Sequence, residues 1–380
     1  MNYCYENITP LKNLTDLADK DDILFFDIET TGLSRQKNHI YLIGCGYYSD
    51  KRLNIIQWFA EGENEEVTIL RQFLDFSSSF NYLVNYNGKS FDIPFTTERL
   101  NKYGLAMPEL NSIDIYTYVK PLKKMLSLND LTQKSVEAFL NIKRNDKYNG
   151  GELISVYKKW IELKLKAHLS EHEINEFNLG LHNLLLHNHE DVLNMHYITE
   201  ILDYSELFNA QISYSDYEIN EYTDYSGEKK SEIILNGCHL VKIPKSYKTF
   251  YSNECGSFIM NVSDTGRISI RIPIIKAELF YYISNYKDYY YLPNEDICIL
   301  KSMAGGVLKE NRLNATKETC KIKLNDSFLP FEKKDDIPVK SFKNNIKAKY
   351  EYIRLEDFEG FSTDMFNKYI NIIYNTFLIK

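Results

Sequence analysis

The first pattern along the chain is a run of apolar and aromatic residues over 23–28, interrupted by one aspartate and ending near the turn pair Thr31-Gly32. A short apolar run bounded by a turn predicts a strand. Two more strands are predicted over 39–48 and 54–59, separated by the turn-forming Ser49-Asp50-Lys51. Residues 63–76 switch to helical spacing, with Val67, Leu70 and Leu74 as their apolar positions, and 82–86 returns to strand. Asn87-Gly88 breaks the chain before a predicted helix over 92–103. A short strand is predicted over 113–115, and 128–204 has helical spacing almost throughout. Early strands followed by alternating helices and strands predict an α/β architecture, a mixed sheet flanked by helices.

From residue 213 the texture changes. Short β-type segments over 232–235, 257–262 and 267–272 are punctuated by Asn236-Gly237 and Thr265-Gly266, and 355–380 has a helical pattern. These features predict two domains, 1–210 and a smaller β-rich one over 211–380, as a chain of 380 residues allows.

Composition narrows the function classes. The net charge of -8 argues against a protein that coats nucleic acid by bulk electrostatics, yet fits an acidic, ion-neutralised site. Cys4, Cys45, Cys238, Cys255, Cys298 and Cys320 are scattered with no C-x-x-C pair, which argues against a zinc ribbon or disulfide framework. That usage suits a reducing, cytoplasmic location. Residues 1–10 lack a basic segment followed by an apolar run, and no stretch approaches the roughly 18 apolar residues of a membrane span, so no membrane partner is expected.

Four acids carry the candidate chemistry. On a strand Phe25, Asp27 and Glu29 share one face, and Asp27 and Glu29 lie roughly 7 Å apart at Cα, near enough for one cation to bridge them. Taken alone, the pair equally marks the exposed end of a strand. Asp92, in Phe91-Asp92-Ile93-Pro94-Phe95, fits a helix N-cap before a proline-containing first turn. Asp191 shares a helical face with Leu184, Met195 and Ile198, and His187 sits one turn before it. A charge on such a face is paired or ion-bound, and a structural His187–Asp191 pair is one way to satisfy it.

Together the segments have a family likeness. Phe25-Phe26-Asp27-Ile28-Glu29-Thr30-Thr31-Gly32-Leu33 resembles the first motif of the DEDD 3′→5′ exonucleases. Phe91-Asp92-Ile93-Pro94-Phe95 is similar to their second, and His187-Asn188-His189-Glu190-Asp191-Val192-Leu193-Asn194 to their third. The chain most resembles the YprB-type ribonuclease H-like domain, whose first strand reads D-I-E-T-T-G-L and precedes a strand here written Ile40-Tyr41-Leu42-Ile43-Gly44. The likeness covers about residues 20–205 and also takes in the regions 126–144 and 151–160.

The resemblance implies a ribonuclease H-like fold and phosphodiester hydrolysis with two Mg²⁺ or Mn²⁺ ions held by Asp27, Glu29, Asp92 and Asp191. It implies a nucleic acid substrate, single-stranded or presented as a 3′ end. Thr30, Thr31 and Leu33 are expected at the terminal nucleotide, with Asn87 and Lys89 near phosphate. The family places a tyrosine four residues before the last aspartate, or a histidine five before it. Here His187 stands at the tyrosine position and Leu186 at the histidine position. His187 is therefore the candidate for orienting or deprotonating water.

Other classes are less well supplied. A catalytically silent nucleic-acid-binding module on the same fold needs the same acids for no reaction. A zinc protein drawing on His168 and His172, or on His187 and His189, lacks a third ligand at suitable spacing. The tyrosines at 281, 282, 286 and 289–291 offer faces for unpaired bases, although half-buried strand positions are their commoner use. Ala304-Gly305-Gly306 has no phosphate-loop context.

Overall fold

Burial on both faces of one strand organises the first part of the molecule. Strand β2 (Ile23–Thr30) is buried along nearly its whole length and lies inside a six-stranded sheet. The computed structural model describes residues 1–6, 8, 11–331, 337 and 339–378, and the chain divides into two compact units. The first comprises Met1–Lys123 and Leu128–Leu207, the second Lys124–Ser127 and Phe208–Lys380.

The first unit opens with β1 (Asn2–Glu6) and the short helix α1 (Lys12–Thr15), followed after β2 by β3 (Ile40–Ser49) and β4 (Arg52–Phe59). Helix α2 (Glu66–Ser77), β5 (Tyr82–Asn85), α3 (Asp92–Lys102) and β6 (Asn111–Asp114) complete the sheet, whose order is β1-β4-β3-β2-β5-β6. Strands β1 to β4 pair antiparallel, whereas β2, β5 and β6 run parallel. The sheet is mixed, as the order of elements predicts. Strand β1 escapes the hydrophobic pattern because it is an edge with partly exposed side chains, paired among the described residues with β4.

Helices cover the sheet. Leu24, Phe26 and Ile28 of β2 face a core built with Ile69, Leu70 and Phe73 of α2 and Phe95 and Leu100 of α3. After α4 (Ile115–Leu122) and α5 (Gln133–Leu140) come α6 (Gly150–Lys164) and the 28-residue α7 (Glu171–Ile198). Tyr41 and Leu42 of β3 pack with Leu153, Tyr157 and Trp160 of α6 and Leu184 and Leu185 of α7. Each such fully buried side chain contributes about 1.5–3 kcal/mol.

Two expectations are corrected. Ile115 is not strand but the first residue of α4, because Asp114 caps that helix through the Tyr116 N–H at 3.1 Å. The predicted helical stretch is broken by an irregular segment over 141–149. Asn141 ends α5 at φ +61°, and the side chain of Asn149 starts α6 in a reciprocal capping box with Glu152.

In the second unit β11 (Arg267–Tyr282) is the spine of an eight-stranded sheet. Its first half pairs with β8 (Lys229–Cys238) and β10 (Gly256–Val262), its second with β15 (Lys321–Phe331). Strands β7 (Ser213–Thr223), β9 (Tyr247–Asn253), β16 (Ser341–Phe342) and β17 (Glu351–Arg354) complete it. A separate sheet joins β12 (Tyr289–Leu292), β13 (Ile297–Leu300) and β14 (Leu313–Asn314). The helical tail divides into α8 (Leu355–Glu359) and α9 (Thr363–Leu378); the last two residues of that expectation lie outside the described residues. Asn367 and Asn371 of α9 accept the N–H groups of Tyr214 and Ile212, fastening the helix to the start of β7.

One buried ion pair ties α2 and α3 to each other and to the sheet. The Glu66 carboxylate on α2, fully buried, accepts Arg99 Nε and Nη2 from α3 at 2.8 and 2.6 Å, Tyr103 OH at 2.8 Å and the Ile40 N–H at 2.8 Å. Removing one partner strands the other charge. Arg99→Met is expected to lower unfolding free energy by about 3–5 kcal/mol, read from urea denaturation, whereas Lys102→Met on the exposed flank changes it by less than about 1 kcal/mol.

Candidate active site

The strand alternation of β2 turns Asp27 and Glu29 away from the α2–α3 layer and towards α7. Their cross-strand neighbours on β3 are Gly44 and Leu42. Gly44 permits the approach of α7, since a Cβ there would meet Asn188 Oδ1 at 2.2 Å. Through that gap Asn188 Nδ2 donates to Asp27 Oδ2 at 2.7 Å, while Gln57 Nε2 donates to Asn188 Oδ1 at 2.8 Å.

Asp92 is not the N-cap its sequence suggests. Phe91 holds the cap position without a side-chain bond, and Asp92, the first helical residue, accepts the Ile28 N–H through Oδ1 at 3.3 Å. The acid therefore reaches from the start of α3 to the end of β2. Asp114 fixes the preceding turn by accepting the N–H groups of Asn87 at 2.8 Å and Lys89 at 3.2 Å. Asn87 takes φ +61°, a conformation asparagine tolerates better than most residues.

The fourth acid, Asp191, comes from α7. His187 Nε2 lies 3.1 Å from Asp191 Oδ2 and 3.6 Å from Glu29 Oε1. Among the described residues, Glu29, His187 and Asp191 form a set whose donor atoms lie within 4.8 Å of one another, a spacing that suits a shared ion. The strand pair and the α7 pair thus meet, and Asp92 lies close enough to raise the Asp27 and Glu29 pKa values.

Several participants have no forecast in the sequence pattern. The irregular segment 141–149 carries Arg144 and Asp146 into the site. Glu190, beside Asp191, pins that segment by accepting the N–H groups of Asn145 at 3.0 Å and Asp146 at 2.8 Å. Arg144 Nη2 then reaches Asp191 Oδ1 at 2.6 Å, and its Nη1 reaches Glu137 at 2.9 Å. Asp146 Oδ2 lies 2.7 Å from His187 Nδ1 and 2.9 Å from Lys134 Nζ. The run of turn-forming residues Asn141, Asn145, Asp146 and Asn149 is the signal that could have revealed the break.

The expected substrate contacts are placed unevenly. Thr30 Oγ1 donates to the Gly32 carbonyl at 2.9 Å and Thr31 Oγ1 accepts the His39 N–H at 3.1 Å, so both hydroxyls serve the turn after β2. Leu33 is 80% exposed, and Lys89 is exposed. His168 and His172 are exposed outside the acid cluster, and His189 turns to β1, where Tyr5 OH lies 2.5 Å from its Nε2. In the second unit Tyr290 is flanked by Arg312 and Lys301, at 4.6 and 5.2 Å from its ring centre.

The electrostatics are those of a site with more negative than positive charge. Burial, followed by repulsion from Asp191, Asp92 and Glu29, pushes the Asp27 carboxyl well above its ordinary range. Burial, then Asp191, Asp92 and Asp146, does the same to Glu29, against the opposing pull of Arg144. Burial pushes Asp92 up to about 7, although the Ile28 N–H opposes it. For Asp146, burial is outweighed by Lys134 and His187, which hold its carboxyl below the usual value. A divalent cation with hard oxygen ligands matches what Asp27, Glu29, Asp92 and Asp191 lack.

Two outcomes follow. Without ions the folded carboxyls hold protons that the unfolded chain has released, so their contribution to stability is present below about pH 4 and is lost as pH rises. The Asp92 part is gone once the pH has passed about 7, and the Asp27 and Glu29 parts persist higher. In chelator, the Tm is therefore expected to fall between about pH 5 and 8, and millimolar Mn²⁺ to reverse the fall; a flat profile counts against the acid cluster. Gly44→Ala is expected to cost about 1–3 kcal/mol in urea unfolding and to weaken Mn²⁺ binding, because α7 must move off the sheet.

Residues 24–203 match the family model of the RNase_H superfamily. None of the curated proteins matches the chain. Similar solved structures include the family B DNA polymerase of the hyperthermophilic archaeon Pyrobaculum calidifontis, at 14% identity over 52% of this chain and 33% of that one, with a TM-score of 0.32. The present chain thus spans about a third of that polymerase. Brucella melitensis NrnC bound to pGG is 15% identical over 53% of this chain and 90% of that one, TM-score 0.25. The Nibbler EXO domain of Aedes aegypti is 12% identical over 51% and 91%, TM-score 0.27. With its mixed sheet flanked by helices, the segment 24–203 has a ribonuclease H-like fold and carries the sequence pattern of the RNase_H superfamily.

Proposed function

We propose that the first 210 residues are a divalent-metal-dependent nuclease domain of the DEDD, YprB-like type, a 3′→5′ exonuclease acting on DNA or RNA. The observation that carries this reading is the convergence of acids distant in sequence. Asp27 and Glu29 on one strand come together with Asp92 at a helix start and Asp191 on the last long helix: Asp191 and Asp92 raise the pKa of both strand acids, and His187 Nε2 lies 3.6 Å from Glu29 and 3.1 Å from Asp191. Two Mg²⁺ or Mn²⁺ ions would be held by these four carboxylates, Asp27, Glu29, Asp92 and Asp191.

When bound, the ions supply activation of water at neutral pH and neutralise charge that builds on the scissile phosphate. The chain's own groups do the positioning. Asn188 orients Asp27, Arg144 fixes one oxygen of Asp191, and the Ile28 N–H fixes one oxygen of Asp92. His187 stands one helical turn from Asp191 and within reach of any water held between it and Glu29. The backbone at Thr30 and Thr31 and the exposed Leu33 receive the terminal nucleotide, Leu33 by packing on its base. Asn87 and Lys89 lie on a turn fixed by Asp114, which suits a phosphate contact. The substrate is a nucleic acid strand with a free 3′ end.

Labelled single- and double-stranded DNA and RNA incubated with Mn²⁺ test this directly on a time-resolved gel. Laddering from the 3′ end is expected, absent in EDTA. Asp27→Asn and Asp191→Asn are each expected to cut the rate at least about a thousandfold, the scale of several kcal/mol supplied by bound metal, while circular dichroism stays unchanged. Binding without cleavage by the wild-type chain, or undiminished turnover in either variant, removes the nuclease reading.

A further inference from the structure

The imidazole of His187 is fixed at its Nδ1 side, an arrangement that orients a general base and a metal ligand alike, so what faces Nε2 decides between them. Its Nδ1 faces Asp146 Oδ2 at 2.7 Å, and Asp146 is itself secured by Lys134 Nζ and Arg144 Nε at 2.9 and 3.2 Å. With two cations on it, the Asp146 carboxylate is an acceptor, so Nδ1 carries the proton and donates. The tautomer is thereby fixed, and the lone pair lies on Nε2. That lone pair points at two carboxylates, Asp191 Oδ2 at 3.1 Å and Glu29 Oε1 at 3.6 Å. Three electron-rich atoms facing one another repel unless a cation stands among them, whether a proton on Nε2 or a metal ion.

The spacing has a second meaning. Two ligands at right angles around an octahedral ion, each about 2.1 Å from it, lie about 3 Å apart. The contact from Nε2 to Asp191 is near that value, and the contact to Glu29 is slightly longer. Arg144 holds the other Asp191 oxygen and leaves Oδ2 for the ion. His187 and Asp191 at i, i+4 place both ligands on one helical face, and Glu29 comes from the facing strand. A ring nitrogen in the ion's ligand sphere, with its other nitrogen donating to a carboxylate, is a common arrangement for metal-bound histidine.

Resting on the nuclease reading above, we propose that His187 Nε2 is a direct ligand of the ion held by Glu29 and Asp191, with Asp146 as its positioning partner, giving one mixed nitrogen–oxygen site beside one all-oxygen site. Imidazole suits transition metals better than it suits Mg²⁺, so the mixed site selects Mn²⁺ over Mg²⁺ and the other discriminates less. His187 then answers to the ion rather than to the attacking water.

The test uses the full chain loaded with Mn²⁺ alone, read by pulsed electron paramagnetic resonance. A coupling from one imidazole ¹⁴N is expected, converting to the ¹⁵N pattern when the protein is made with ¹⁵N-histidine, a result that depends on no variant's folding. In His187→Gln the coupling is expected to vanish while Mn²⁺ still binds. Asp146→Asn keeps an acceptor but removes its charge, and is expected to weaken Mn²⁺ binding about 10-fold or more while barely changing Mg²⁺ binding. Mn²⁺ bound in an Asp27-dependent manner without nitrogen coupling, or coupling that survives His187→Gln, overturns the ligand assignment and leaves the carboxylate reading intact. No Mn²⁺ binding at all overturns both.

Discussion

Like charge forced together in a water-poor pocket is the constraint around which the first unit is arranged. Asp27, Glu29 and Asp92 are each raised by burial, Asp27 and Glu29 also by Asp191 and Asp92, and among the described residues Arg144 and Lys134 bring positive charge into the neighbourhood. Burying carboxylates in excess of cations is costly, and a fold retains them only where something else neutralises them. The rest of the unit holds them in place. Gly44 admits α7, Asn188 and Gln57 lock the helix to β2 and β4, and the Glu66–Arg99 pair binds α2 and α3 to the opposite face.

The site was partly legible in the sequence because two of its elements obey simple periodicities. Period two puts Asp27 and Glu29 on one face, and helical spacing puts His187 and Asp191 on one face. Asp92 was legible as a residue but not in its role, since its bond to the Ile28 N–H depends on tertiary placement that a local N-cap rule does not see. Arg144 and Asp146 were not legible at all. Their segment has no period, and its course is set by Glu190, a residue over forty positions later whose neighbour, Asp191, is itself in the site. Helical spacing on both sides of that segment hid the break.

In the second unit the strands were visible wherever the pattern was local. The segments 232–235, 257–262 and 267–272 all fall inside longer strands. What the pattern does not encode is that β11 runs 16 residues and serves two sets of neighbours in turn, because the sequence records which positions are apolar and not which partner covers them. Within the tyrosine-rich stretch one residue shows a use internal to the chain. Tyr290 stacks against the chain's own cations, a use that composition alone does not distinguish from base binding.

The bond from Asn188 to Asp27 spans 161 positions of sequence. Synthesis delivers the acid-bearing strand first and the helix that completes the cluster last, so a nascent polypeptide carries Asp27 and Glu29 before the helix that packs beside them exists. The acid cluster is complete only with the final long helix of the unit. Incomplete chains, whether stalled on the ribosome or clipped ahead of that helix, lack His187 and Asp191 and hold only part of the acid cluster.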